Sequence, residues 1–205
     1  NLTSAALIFD SGSRLRAGSV SFAASDATDR PATEALNGGL FFCGTFRTAS
    51  MDKISSRTGV GVRNSSFVAT RIDCSYLGRP DPLHRNGDTE DDINAMTLVG
   101  VGPNEWRVLN VSSTNAGDDG FDATSSSITL ASLTVVNPTE DGLNITSSLV
   151  RITGTCTVAM SRSTAPDREL FDLETDDGPA RLVFERLAAI DLRGYWGDRY
   201  DEVRL

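Results

Sequence analysis

Along the chain from Asp91 to Leu192, apolar residues alternate with polar ones in short runs such as Ile128-Thr-Leu130, Leu133-Thr-Val135 and Val150-Arg-Ile152. That period is the period of a strand with one buried face, and the Asp, Gly, Asn and Ser residues between runs predict turns. A short phrase returns four times: Asp91-Asp-Ile-Asn-Ala95, Asp119-Gly-Phe-Asp-Ala123, Asp141-Gly-Leu-Asn-Ile145 and Glu169-Leu-Phe-Asp-Leu173. Its apolar members Ile93, Phe121, Leu143 and Phe171 are 28, 22 and 28 residues apart. Setting Asp119 against Asp141 also brings Trp106 onto Ile128 and Val150, Val108 onto Leu130 and Ile152, Val111 onto Leu133, and Asn115 onto Asn137.

A repeat of this length built from strands and corners predicts a solenoid, one coil per repeat. A single coil cannot bury its inward row, so coils stack like on like about 4.8 Å apart. The expected fold is all-β: one single-stranded right-handed parallel β-helix with irregular loop insertions. Its inward ladders are Ile93/Phe121/Leu143/Phe171 and Val108/Leu130/Ile152, with Asn94/Asp122/Asn144/Asp172 as an outward polar ladder. An antiparallel sandwich of short strands is the alternative, but it has no need of matched residues at these spacings.

In chain order, Ala5 to Ala23 reads as a first coil with a corner at Asp10-Ser-Gly-Ser13, and residues 24–39 as a polar loop. Leu40-Phe-Phe-Cys43 is a buried strand, and Val60, Val62, Phe67, Ala69, Ile72 and Cys74 resume the coil pattern after a polar connection. Residues 77–91 form the longest irregular segment and hold the only histidine, His84. Insertions of this kind carry binding surfaces in solenoids. The solenoid spans residues 1–193, and an aromatic tail, 194–205, leaves the register.

Charge narrows the function. A net charge of −9 and a pI near 4.6 argue against nucleic acid and against an anionic membrane surface. No run of eighteen apolar residues exists to insert into a membrane. Nearly all basic residues are arginine, with Lys53 the only lysine. Arginine pairs bidentately with carboxylates and contacts sugars and aromatic rings, although a codon bias yields the same count. Cys43, Cys74 and Cys156 show no metal or redox spacing. A Cys43–Cys74 disulfide is one reading, and buried thiols packing as small hydrophobes the other. Four Asn-x-Ser/Thr sequons, at Asn1, Asn64, Asn110 and Asn144, point to a secreted glycoprotein.

Three segments, Ala5-Ala-Leu-Ile-Phe-Asp-Ser-Gly-Ser-Arg-Leu-Arg-Ala-Gly18, Asp92-Ile-Asn-Ala-Met-Thr-Leu-Val-Gly-Val-Gly102 and Gly117-Asp-Asp-Gly-Phe-Asp122, carry a resemblance. Over most of residues 5–192 the chain resembles secreted right-handed parallel β-helix proteins of the pectin-lyase-like superfamily, in particular a non-catalytic surface or exported branch. The resemblance implies the fold and an extracellular or cell-surface setting. Gly117-Asp118-Asp119 also looks like the acidic motif of polygalacturonases, which makes Asp118, Asp119 and Asp141 candidate catalytic carboxylates. The rest of that set is missing: no Gly-His-Gly occurs, and Arg151-Ile152-Thr153 half matches Arg-Ile-Lys. General acid/base work needs partners with pKa values pushed apart, which one acidic turn does not establish.

Asp118, Asp119, Asp122, Glu140 and Asp141, stacked over two coils, offer oxygen ligands to calcium, with Asp118, Asp122 and Glu140 as its candidates. The competing reading is that acids occupy these turns because they cap their own backbone. Cofactors are otherwise not expected. The expected role is a structural module that self-associates head to tail through its open ends, with Tyr195, Trp196 and Tyr200 as contact residues. A carbohydrate-active or carbohydrate-binding β-helix, of the polysaccharide hydrolase or lyase kind, is the second expectation.

Overall fold

The computed structural model describes residues 5–25, 32, 38–44, 65–78, 94–161, 168–192 and 194–197. The described strands are β1 (Ala5–Phe9), β2 (Arg14–Ala23), β3 (Gly38–Cys43), β4 (Ser66–Ser75), β5 (Met96–Val99), β6 (Trp106–Thr114) and β7 (Phe121–Thr124). They continue with β8 (Ser127–Leu130), β9 (Ser132–Val136), β10 (Leu143–Thr146), β11 (Leu149–Ala159), β12 (Phe171–Glu174) and β13 (Arg181–Ile190). No helix occurs among the described residues, and none there is long and apolar enough to cross a membrane. The sheets are parallel, as expected for an all-β chain of this repeat.

Alternating strands fall in alternating sheets. The first sheet runs β1-β3-β5-β7-β10-β12, and the second β2-β4-β6-β9-β11-β13 with β8 paired to β11. The chain crosses between the sheets and returns one strand further on each time. The predicted columns form inside: Phe121 and Phe171 flank Leu143, Ile128 pairs with Val150, Leu130 with Ile152, and Val111 with Leu133. These side chains are buried, as alternation requires.

One register differs from the sequence expectation. Thr97, not Asn94, pairs with Asp122, which puts Met96 rather than Ile93 at the level of Phe121. Ile93 itself lies outside the described residues. The reason is at the corner: Ala95 N donates to Asp119 O as Gly120 N does to Asp141 O and Gly142 N to Glu169 O. Asn94 is therefore the counterpart of Asp119 and precedes the strand. The Asp122 column faces away from the Phe121 and Ala123 side of β7, yet Asp122 and Thr97 are buried there while Asn144 and Asp172 are half-buried.

Corners repeat as faithfully as strands. Gly100, Ser125 and Ser147 follow β5, β7 and β10 with φ of 59°, 51° and 50°, and Asn115 and Asn137 follow β6 and β9 with φ of 54° and 53°. Small or self-capping side chains tolerate this left-handed conformation best. Ser148 Oγ accepts from Ser126 N at 2.7 Å and donates to Thr146 O at 2.9 Å, so a buried hydroxyl joins two levels. Asn137 Nδ2 donates to Asn115 Oδ1 at 3.3 Å in the same manner.

The aromatic residues gather toward the N-terminal end of the core. Phe9 stacks on Phe42 with ring centroids 4.9 Å apart, and Phe67 and Trp106 meet Phe42 edge-on. At both ends the inward rows are only partly covered among the described residues, at Leu15, Val20 and Phe22 and at Leu182, Phe184 and Leu187.

All three cysteines carry free thiols, which corrects the Cys43–Cys74 disulfide. Phe42 takes the core face of β3, so alternation turns Cys43 outward, whereas Cys74 is buried on the core face of β4 between the paired residues Phe22 and Ser113.

Because Leu133 is wholly enclosed and Leu109 is 53% exposed, Leu133→Ala is expected to cost about 2–5 kcal/mol and Leu109→Ala within about 0.5 kcal/mol. Urea denaturation of both variants measures the difference.

Candidate functional site

The acidic corner lies where the chain enters β7, β10 and β12. Asn94, Asp119, Asp141 and Glu169 stack there, and their side chains hold the corner together. Asn94 Oδ1 accepts from Asp119 N at 3.3 Å, Asp119 Oδ1 from Asp141 N at 3.1 Å, and Asp141 Oδ1 from Glu169 N at 2.6 Å. Each carboxylate thus satisfies a backbone amide of the next level. The glycines that follow are there for close approach: a Cβ on Gly120 would lie 2.1 Å from Val135 Cγ1, and one on Gly142 would lie 2.6 Å from Leu170 O.

Asp118, Asp119 and Glu140 bring one carboxylate oxygen each to within 4.8 Å of one another. Asp118 and Asp119 are buried and Glu140 is half-buried. Asp122, named with Asp118 and Glu140 as a calcium candidate, stands apart in the strand column, accepting from Asn94 Nδ2 at 3.2 Å and Thr124 Oγ1 at 3.3 Å. Three carboxylates supply part of the six to eight oxygens that calcium takes. One oxygen of Asp119 is already engaged with the backbone.

Electrostatics follow from burial. Desolvation, reinforced by Glu140 and Asp122, holds the Asp119 carboxyl well above the usual carboxylate range. Desolvation and the neighbouring Asp119 do the same to Asp141. Desolvation lifts Asp122 to about 7 against the hydrogen bonds from Asn94, Thr97 and Thr124. The candidate catalytic carboxyls Asp119 and Asp141 therefore move in the same direction. An acid and a base at work need environments that separate them.

The remaining candidates scatter. Asn110 is half-buried inside β6, its Nδ2 donating to Thr70 O at 2.9 Å and its Oδ1 accepting from Ser132 Oγ at 2.7 Å. Asn144 is half-buried in β10, where its Oδ1 accepts from Thr146 Oγ1 at 3.0 Å. Asn110 thus joins neighbouring strands, whereas the Asn144 bond stays within its own strand. Asn1, Asn64, His84 and Tyr200 lie outside the described residues, as does the insertion beyond Gly78. Tyr195 and Trp196 are 62% and 48% exposed. Their carbonyls accept from Leu170 N at 2.9 Å and Phe171 N at 3.3 Å, so this part of the tail continues the hydrogen-bonding course on the last level.

Sequence reasoning missed Glu105, which is buried and accepts from Ser65 N and Gly102 N at 2.9 Å each. No periodic signal marks it, because it serves a corner that occurs once. The fold places the chain among all-β proteins with parallel sheets. It matches no protein-family model, no curated protein and no solved structure.

Two outcomes are expected of this corner. Asp119→Asn, which keeps the accepting oxygen as Asn94 does naturally, raises the melting temperature at pH 8, whereas Asp119→Ala lowers stability by about 1–3 kcal/mol by orphaning Asp141 N. Between pH 3.8 and about 7 the folded chain keeps a proton on Asp122 that the unfolded chain releases, so stability declines as pH rises through that window. The decline is a few kcal/mol at most, and denaturant titrations from pH 4 to 8 show it shrinking in Asp122→Asn.

Proposed function

We propose that the chain is a right-handed parallel β-helix acting as a non-catalytic structural module outside the cell or on its surface, and that copies associate head to tail into a surface or filamentous assembly. The alternation of parallel strands between two sheets supports the coil, and its hand follows from the strong preference of parallel crossovers for the right-handed sense. This is the architecture of the pectin-lyase-like β-helices that the sequence resembles. The observation that carries the function is the condition of the two ends. β1 and β2 at one end, and β13 at the other, have outer edges unpaired by any described strand, while the tail lies on the start of β12 through Tyr195 O and Trp196 O. They also expose Leu7, Ile8, Val183 and Ile190. Open strand edges with half-covered apolar rows are templates for another chain. A contact between unlike ends does not close on itself, so it propagates. Tyr195 and Trp196 stand at the second end and are suited to such a contact. Glycans on this module belong at Asn1, Asn64 or Asn144 rather than at Asn110, whose Nδ2 already donates to Thr70 O.

The second reading is a carbohydrate-active or carbohydrate-binding module around Asp118, Asp119 and Asp141, with calcium as its ion. What favours it is the meeting of Asp118, Asp119 and Glu140 oxygens within 4.8 Å.

Sedimentation velocity tests the first. The full chain is expected to form species that grow with concentration, and Ile8→Lys and Ile190→Lys, each charging one end, are expected to return it to monomer. A chain that stays monomeric at the highest soluble concentration rules out the assembly.

A further inference from the structure

Two inward columns of the second sheet can be followed pair by pair through the whole stack. One reads Val20, Ile72, Val111, Leu133, Cys156, Leu187, and the other Phe22, Cys74, Ser113, Val135, Val158, Ala189. The outward column beside them opens with Ala23 and closes with Ile190. A second copy that continues these columns sets its Val20 on Leu187, its Phe22 on Ala189 and its Ala23 on Ile190. A large side chain then meets a small one in the last two places. β2 and β13 also match in length, ten residues each, and in both the alternation breaks at the same place, at the exposed pairs Gly18-Ser19 and Glu185-Arg186. One like-charge pair results, Arg14 with Arg181, at the exposed start of the strands where salt screens it.

The first sheet sets a condition on this fit. Ile8, Phe41, Thr97, Asp122, Asn144 and Asp172 form a column of paired residues, so Ile8 of a following copy belongs on Asp172. Counting back along both strands brings its Leu7 to Phe171 and its Ala5 to Glu169. Those places are held by the chain itself. Glu169 is bridged in parallel to Tyr195, and Tyr195 O and Trp196 O accept from Leu170 N and Phe171 N. Tyr195 thus stands where Ala5 of the following copy would stand. Gly194 lets the tail come this close: its φ is 127°, and a Cβ on it would lie 2.1 Å from Arg168 O, the acceptor of the hydrogen bond from Tyr195 N at 3.0 Å.

Resting on the head-to-tail reading, we propose that the end formed by β12 and β13 receives β1 and β2 of a second copy in register, and that residues 194–197 stand in for that copy's first strand until it arrives. One strand of backbone pairing replaces another, so the first sheet's edge is covered before and after the exchange. The arriving copy prevails because it pairs with both sheets, whereas the described part of the tail lies on the first alone. Tyr195 and Trp196 are the groups that it meets first.

Sedimentation velocity of the full chain beside two variants is the test. One variant ends at residue 193 and lacks the stand-in; the other, Gly194→Val, keeps it but has a Cβ that does not fit against Arg168 O. Both are expected to assemble at a concentration about tenfold below that of the parent, since fewer tail hydrogen bonds have to be given up. Adding Ile8→Lys to either returns it to monomer, which places the gain at the head-to-tail contact. Oxidation reads the register in a Cys43→Ser background. Ser21→Cys with Ala188→Cys puts thiols on strands about 4.8 Å apart in one column and yields a covalent ladder of copies. Ala23→Cys with Ala188→Cys, out of step along the strand, does not. Assembly of the parent with no gain in either variant, or weaker assembly on truncation, overturns the stand-in and leaves the head-to-tail reading in place. Cross-linking through the out-of-step pair alone overturns the register. Monomers throughout, in the parent and both variants, overturn the proposal together with the reading on which it rests.

Discussion

Parallel backbone pairing, repeated level after level at a strand spacing of about 4.8 Å, is the constraint on which the rest depends. It puts each side chain within touching distance of its counterpart above and below. A residue type is admissible only if it tolerates its neighbours in the column. Apolar columns satisfy this by packing, as Phe121, Leu143 and Phe171 do. Stacked rings satisfy it as well, because the centroid separation of Phe9 and Phe42, 4.9 Å, is close to the strand spacing itself.

Polar columns need hydrogen bonds along the stack, and the chain supplies them with side chains that both donate and accept. Serine does so at Ser126 and Ser148, and asparagine at Asn115 and Asn137. A carboxylate only accepts when ionised. Asp119 and Asp141 therefore turn an oxygen to the backbone amide of the following level, and burial with a like charge nearby raises both toward the protonated form. A cationic column has no such remedy. Consistent with that, Val68 separates Arg16 from Arg107 on the outer face, where water screens them.

The same pairing makes the ends different from the middle. Strands within the two main sheet paths have neighbours on both sides, while β1, β2 and β13 lack one among the described strands and β12 meets only the tail, and burial declines there accordingly.

By itself, the sequence determined the parallel repeat, most of its inward columns and the corners, since stacking like on like writes spatial neighbours as matched residues a fixed distance apart. Phe121 with Leu143, Leu130 with Ile152 and Asn115 with Asn137 were legible for that reason. Tertiary structure alone decided where the period is interrupted. An irregular corner shifts Thr97 into the place assigned to Asn94, and alternation turns Cys43 away from the core that Cys74 faces. It also decided the state of the acids, for Asp118-Asp119 reads alike as a catalytic pair or a capping turn until burial and the amide of Asp141 are seen. The neighbours of Arg16 and Arg107 were hidden for a related reason: the chain between them runs in lengths that do not match, and only backbone pairing, which does not depend on the length of the connecting chain, sets both beside Val68.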